Sequence, residues 1–139
     1  MIVLDTSGLL AAIDASQRHH AAAAAVLRRA SGPLVLSPFV LAELDYLINS
    51  RISTQAAHAL LEQVAAGVYR LEPMDAVDVA AATDVIDRYR DLTRGLADAS
   101  LVVLADRYDT TDLLTLDERH FRAVQGRSGR PFRILPADA

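Results

Sequence analysis

Five short apolar runs alternate with amphipathic segments along this chain of 139 residues. The apolar runs predict β-strands at residues 2–5, 34–36, 68–71, 113–116 and 132–135. The segments between them predict helices at residues 8–14, 18–30, 38–49, 54–66, 75–90 and 96–108, and a short helix at 118–124. Strands that alternate with helices favour right-handed crossovers and parallel pairing. The pattern therefore predicts an α/β fold, a single domain over residues 1–139 with a central, mostly parallel sheet of four to five strands flanked by helices.

Composition narrows the classes of protein that fit this fold. Hydrophobic residues make up 52% of the chain, which argues against disorder. The absence of cysteine excludes disulfides, thiolate nucleophiles and cysteine-ligated metal sites. No apolar stretch approaches the roughly 18 residues needed to span a bilayer, and the amino terminus lacks the features of a signal peptide. We therefore expect a cytoplasmic protein without a membrane partner.

Four acids occupy positions that a parallel α/β fold would gather into one pocket. Asp5 and Asp117 follow the first and fourth apolar runs, at the strand ends where ligands bind in such sheets. Glu43 and Asp98 lie in helical patterns, and the chain has no lysine to neutralise any of the four. Clustered carboxylates predict a divalent cation, and ligands that are all oxygen select Mg²⁺ or Mn²⁺. Such an ion can activate water to attack a phosphodiester. We expect the hydroxyls of Thr6, Ser7 and Thr115 to orient that water or the carboxylates.

Each acid also has a structural explanation. Asp5 and Asp117 could cap the helices that follow them, and Asp98 could be a first-turn acid favoured by the helix dipole. Glu43 has apolar neighbours, and a buried, unpaired glutamate is costly. Either a cation or a distant arginine compensates Glu43, or this residue lies exposed at the edge of the apolar stripe.

The charge pattern leaves open whether a nucleic acid binds. The net charge of −4 counts against it, although bound cations would cancel part of the acidic charge. All 14 basic residues are arginines, whose planar guanidinium suits phosphate oxygens. Five of these arginines fall in the last fifth of the chain: Arg119, Arg122, Arg127, Arg130 and Arg133. They are interpreted either as phosphate contacts or as part of a solvated tail with no partner. The adjacent His19 and His20 are interpreted as solvated, and His120 is a candidate substrate contact.

Four segments carry a resemblance to a known family. The strings IVLDTS, LSPFVLAELDYL, GLADASLVVLADRY and LLTLDERHF occur in this order between residue 2 and about residue 124. They resemble the conserved segments of PIN-domain nucleases and, more narrowly, of the VapC-type toxins of bacterial toxin–antitoxin pairs. The resemblance implies a PIN-like three-layer fold and a metal site formed by Asp5, Glu43, Asp98 and Asp117. It also implies a Mg²⁺- or Mn²⁺-dependent endoribonuclease that cuts a structured RNA, such as a tRNA or an rRNA loop. A homodimer and a small inhibitory antitoxin are further implications.

Individual roles can be assigned as hypotheses. Asp5, Asp98 and Asp117 would hold the ion or its waters, while Glu43 would complete the site and help to deprotonate the attacking water. Candidate phosphate contacts are Arg94, Arg119 and Arg122, each of which could equally be a surface residue. Five apolar helix residues predict either a dimer or antitoxin surface or ordinary core packing: Leu44, Leu47, Ile48, Leu60 and Leu61.

Two other functions fit the same features less well. A catalytically silent PIN protein could act only by binding RNA or an antitoxin, but it would gain stability by losing clustered acids. A metal-dependent DNA nuclease of the flap type would need a helical arch, for which 139 residues leave no room.

Overall fold

The central feature of the fold is a parallel sheet. The computed structural model describes residues 1–92 and 95–139. Its strands are β1 Ile2–Leu4, β2 Leu34–Leu36, β3 Arg70–Leu71, β4 Asp112–Leu114 and β5 Arg133–Leu135. They form a five-stranded sheet in the order β3-β2-β1-β4-β5, and every neighbouring pair is parallel. The predicted α/β class is confirmed, with a sheet that is parallel throughout.

Helices connect and flank the strands. In the described residues they are α1 Thr6–Ile13, α2 His20–Arg29, α3 Pro38–Arg51, α4 Thr54–Ala65, α5 Ala76–Arg88, α6 Leu96–Tyr108 and α7 Glu118–Phe121. None of them is long and apolar enough to cross a membrane. Local chemistry sets several of their ends. The hydroxyl of Ser37 accepts a hydrogen bond from the backbone N–H of Phe39, and Ser53 caps α4 in the same way.

The predicted third strand begins two residues too early because the end of α4 occupies the chain there. Gly67 has a φ of 85°, a left-handed conformation that glycine adopts without strain. The N–H of Gly67 donates to the carbonyl of Val64, and the N–H of Val68 donates to that of Gln63. This pair of bonds is the Schellman termination of a helix. The strand therefore starts only at Arg70.

The order of the central strands brings the residues that follow β1 next to those that follow β4. β1 lies between β2 and β4, so Asp5, directly after β1, comes next to the segment that follows β4. Helix α1 packs closely against that segment. A Cβ atom added to Gly8 would lie 2.5 Å from the carbonyl oxygen of Leu114 and 2.7 Å from its Cγ. Only a glycine permits this approach, which brings the start of α1 against the end of β4.

The five apolar helix residues proposed as a partner surface mostly build the core instead. Leu44, Ile48 and Leu60 are buried, because α3 and α4 pack against each other and against the core. Leu47 is half-buried, and only Leu61 exposes a large part of its side chain, 40%. Core packing, the alternative left open from the sequence, therefore accounts for most of this apolar surface.

Candidate active site

The four acids predicted from the sequence line one cavity. This cavity has a volume of about 380 Å³ and opens at the carboxyl ends of β1 and β4. Its lining combines the acids with two hydroxyls, one arginine and a few apolar side chains: Asp5, Glu43, Asp98, Asp117, Thr6, Ser7, Arg51, Leu10, Leu47, Leu96 and Ala97. The structure thus brings together residues that lie as much as 112 positions apart in the sequence, from Asp5 to Asp117.

Asp5 is the most enclosed of the four acids, with 6% of its surface exposed. It stands before α1, but its side chain does not cap that helix. Instead its Oδ2 accepts hydrogen bonds from the hydroxyl of Thr115 at 2.6 Å and from that of Ser7 at 2.8 Å. The helix-cap explanation for Asp5 is therefore wrong, and the carboxylate is held by two side chains that face the cavity end of the sheet.

Ser7 and Thr115 also hold the loop that carries Asp117. The backbone N–H of Leu116 donates to the Ser7 hydroxyl, and that of Asp117 donates to the Thr115 hydroxyl, both at 3.0 Å. Each hydroxyl thus accepts from the loop while it donates to Asp5. This arrangement couples the orientation of Asp5 to the position of Asp117.

Thr6 contributes a hydroxyl of a different kind. The residue is buried and lines the cavity. Among the described residues no group hydrogen-bonds to its Oγ1, which is also shielded from solvent. Buried hydroxyls normally have a partner, so an unsatisfied one at a cavity wall indicates a position that a water or a ligand oxygen would fill.

Asp98 and Asp117 both contact His120. Asp117 caps α7, since its Oδ1 accepts a hydrogen bond from the backbone N–H of His120 at 3.3 Å. The Nε2 of His120 lies 3.5 Å from Oδ2 of Asp98. His120 is only 5% exposed and packs edge-on against the ring of Phe121, which excludes the substrate-contact role considered for it from the sequence. Its ring supports Asp98 instead, as partners of metal-site carboxylates commonly do.

Glu43 is exposed, so it lies at the edge of the apolar stripe and is not a buried, unpaired charge. It lies on α3 at the cavity, and the same helix face continues through Leu47 to Arg51 at spacings of four residues. Arg51, which was not singled out from the sequence, is therefore a further residue of the cavity wall rather than a close partner of Glu43. The spacing of four, continued for a second turn, is the signal that would have found it.

The arginines proposed as phosphate contacts lie in different environments. Arg94 is outside the described residues. Arg119 is exposed but does not line the cavity. The guanidinium of Arg122 is bound on both sides, to Glu118 at 3.0 Å and to Asp138 at 2.8 Å. For all three, phosphate contact stays a prediction.

Comparison with protein families places this arrangement in a known group. A PIN domain model matches residues 2–126. The chain belongs to the PIN-domain family. It is also 42% identical over 135 residues to Ribonuclease VapC26 of Mycobacterium tuberculosis, an alignment that covers 97% of this chain and all of that protein. The resemblance to PIN-domain and VapC-type proteins inferred from the four sequence segments is thereby confirmed.

Solved structures show the same fold. The toxin VapC20 of Mycobacterium tuberculosis superposes with a TM-score of 0.78 at 23% identity, covering 84% of this chain and 90% of that one. FitAcB from Neisseria gonorrhoeae matches with a TM-score of 0.53 at 18% identity, covering 78% of this chain and 83% of that one. At these identities the likeness concerns the fold alone. The PIN fold predicted from the sequence is confirmed.

The donor atoms of the PIN-domain cavity suit a hydrated, hard cation. Among the described residues, no three acids or histidines converge closely enough to enclose an ion by themselves. Mg²⁺ does not need such a cage, because it binds one or two carboxylates and keeps several waters. Four carboxylates around one cavity, with the unsatisfied Thr6 hydroxyl in its wall, provide that kind of environment. The residues that would hold the ion or its waters are Asp5, Asp98 and Asp117, with Glu43 completing the site.

Electrostatics at Asp5 favour the same interpretation. Burial, and to a smaller extent the nearby charge of Asp98, raise the pKa of Asp5 above 3.8, although the hydrogen bonds from Thr115 and Ser7 counteract part of the effect. A carboxylate whose charged form is disfavoured in the folded protein costs stability at neutral pH. A cation in the cavity would remove that cost.

This leads to a prediction for stability without metal. Well below pH 3.8 Asp5 is protonated in both the folded and unfolded states. As pH rises above 3.8 the unfolded state releases the proton first, so the fold is progressively destabilised until pH exceeds the folded-state pKa. We therefore expect Asp5→Asn to be more stable than the wild type at pH 7 in EDTA. The difference should shrink towards pH 4 in thermal unfolding.

The control is Asp84→Asn, which makes the same change at an exposed acid of α5 away from the site. Its stability relative to wild type should vary little between pH 4 and pH 7. A loss of stability in Asp5→Asn that is equal at both pH values would contradict the prediction, because the hydrogen bonds from Ser7 and Thr115 would then outweigh the cost of burying the charge.

Proposed function

We propose that this chain is a Mg²⁺- or Mn²⁺-dependent endoribonuclease that acts as the toxin of a toxin–antitoxin pair and cuts a structured RNA, a tRNA or an rRNA loop. The observation that carries the proposal is the cavity lined by all four acids at the carboxyl ends of β1 and β4. The 42% identity to a protein named Ribonuclease VapC26 over nearly the whole chain supports the reaction. VapC20, described as a sarcin–ricin loop cleaving toxin, has the same fold.

The proposed mechanism assigns a task to each of the four acids and to the two hydroxyls that hold Asp5. Asp5, Asp98 and Asp117 hold the ion or its waters. When bound, the ion supplies Lewis acidity for hydrolysis of a phosphodiester. Ser7 and Thr115 fix the carboxylate of Asp5 through their hydrogen bonds at 2.8 and 2.6 Å. Glu43, the exposed acid, accepts a proton from the attacking water.

The partners proposed for the chain are its RNA substrate, a small cognate antitoxin and a second copy of itself. An RNA substrate places the activity in the cytoplasm. Exposed apolar side chains on and next to α3 and α4, such as Tyr46 at 72% and Ile52 at 40%, support a protein partner at these helices. We further propose that residues 1–139 act as one domain, since β5, beyond the matched PIN segment, pairs with β4 in the same sheet.

The first test is cleavage of total cellular RNA by the purified chain. We expect discrete fragments with Mg²⁺ or Mn²⁺ and none with EDTA, because the carboxylates cannot by themselves activate water. Asp84→Asn should cleave like the wild type. Sequencing the fragment ends would identify the RNA and the cut position. If a folded chain that binds Mn²⁺ leaves all RNA intact, the proposed reaction is wrong and a binding role takes its place.

A further inference from the structure

We propose that Arg51 binds a phosphate of the RNA beside the cleaved position, so that it is a substrate-binding residue of the site; this inference rests on the proposed ribonuclease function. Arg51 is the last residue of α3 and lines the cavity together with the four acids. Within the part of the chain that the structure describes, it is the only basic residue that lines this cavity.

The charge balance of the cavity favours such a group. Four carboxylates repel an approaching phosphodiester, and a bound cation offsets this repulsion only at the acids themselves. The flanking phosphates of the RNA need a positive partner on the wall beyond the ion. A guanidinium is suited to this role because its planar set of N–H donors matches two phosphate oxygens.

Arg51 is available for this contact. Its side chain is exposed, and no hydrogen bond or ion pair joins it to any described residue. Although Glu43 lies on the same helix, eight residues of α-helix separate the two by about 12 Å along the axis. The apolar side chain of Leu47 lies between them in the cavity wall. Glu43 and Arg51 are thus kept apart in the cavity wall by an apolar side chain against which a sugar or base can pack.

The alternatives among the described arginines are weaker. The guanidinium of Arg122 already binds Glu118 and Asp138, and Arg119 does not line the cavity. A purely structural reason for Arg51 also exists, since a cation at the carboxyl end of a helix interacts favourably with its dipole. Lysine would satisfy the dipole equally well but lacks the planar donors, so Arg51→Lys separates the two roles.

The test compares Arg51→Ala, Arg51→Lys and Arg29→Ala with the wild type. Arg29 is a matched control because it is exposed and lies near Met1 and Ile2, at the amino-terminal end of β1 and away from the cavity. With Mg²⁺ and the RNA found to be cleaved, we expect Arg51→Ala to raise KM about 10-fold with little change in kcat. Arg51→Lys should fall between Arg51→Ala and the wild type, and Arg29→Ala should match the wild type. Thermal unfolding of each variant checks that the fold is retained.

A binding measurement provides a readout that a structural role would not change. Bulk tRNA is titrated at several salt concentrations with chains that also carry Asp98→Asn, so that bound RNA is not cut. Loss of one phosphate contact should reduce the slope of log K against log salt by about 1 for Arg51→Ala and leave it unchanged for Arg29→Ala.

The outcomes separate the inference from the function on which it rests. If the wild type cleaves RNA and Arg51→Ala keeps both the KM and the salt slope of Arg29→Ala, the role of Arg51 is refuted while the ribonuclease stands. If the wild type does not cleave RNA at all, the proposed function fails and the inference fails with it.

Discussion

Replacing Asp98 with asparagine is expected to reduce RNA cleavage by at least about 100-fold, the upper range for losing a group that merely supports a metal ligand. Asp98 lines the cavity with Asp5 and Asp117, and the amide removes the charge that attracts a cation without changing the size of the side chain. Asp5→Asn and Asp117→Asn should have the same effect. All three should also weaken Mn²⁺ binding, measured by calorimetric titration, while thermal unfolding shows an intact fold.

Glu43→Gln should behave differently. Because Glu43 is exposed and proposed to accept a proton, its amide should lose cleavage but keep most of the Mn²⁺ affinity. The matched control for Asp98 is Asp91→Asn, an exposed acid seven residues earlier whose change should leave activity intact. Full activity in Asp98→Asn would remove Asp98 from the site. Equal loss of Mn²⁺ binding in all four amides would instead make Glu43 a ligand.

The second large effect is expected at Gly8. Alanine there should lower the free energy of unfolding by about 1–3 kcal/mol, because the new Cβ would lie 2.5 Å from the backbone oxygen of Leu114, which cannot move without shifting β4. The sign of this change in stability is informative, because alanine inside a helix is ordinarily favoured over glycine by about 0.5–1 kcal/mol. Urea unfolding would measure the loss. A variant as stable as the wild type would contradict the close packing of α1 on β4.

Gly67→Ala is the comparison variant. Gly67 has open space around its Cβ position but a φ of 85°, so alanine there costs about 1–2 kcal/mol from backbone strain alone. Because the expected losses of stability in the two variants overlap in size, Mn²⁺ binding and RNA cleavage are needed to distinguish them. Gly8→Ala should move Ser7 away from Thr115, whose hydroxyls are 3.2 Å apart, and so weaken Mn²⁺ binding and cleavage. Gly67→Ala should leave both unchanged.

The sheet and the acidic cavity are largely predictable from the sequence because their signals are local. Short apolar runs such as Ile2–Leu4 are typical of buried central strands, and strands that alternate with helices usually pair in parallel. Residues that follow such strands then meet at one edge, which brings Asp5 near Asp117. Asp5 and Asp117 therefore required only the order of the strands, whereas Glu43 and Asp98 are placed by helices α3 and α6.

Other features depend on tertiary geometry that no local pattern encodes. Whether Glu43 is buried depends on how α3 rotates against its neighbours, and the structure leaves it exposed. Burial of His120 follows from the packing of Phe121 beside it. Arg51 reaches the cavity from two helical turns beyond Glu43, farther than a search for helix-neighbour pairs extends. Each of these positions depends on how the helices and strands pack against one another.

The central pairing of β1 with β4 also determines when the site can exist during synthesis. During translation Asp5 is made before the hydroxyl that holds it, because Thr115 follows 110 residues later. A chain still being translated carries Asp5 and Glu43 but has neither Asp117 nor the strand beside which Asp5 must lie. A fragment that ends before β4 therefore lacks the assembled site, and we expect the proposed activity to begin only after β4 and the residues that follow it have been synthesised.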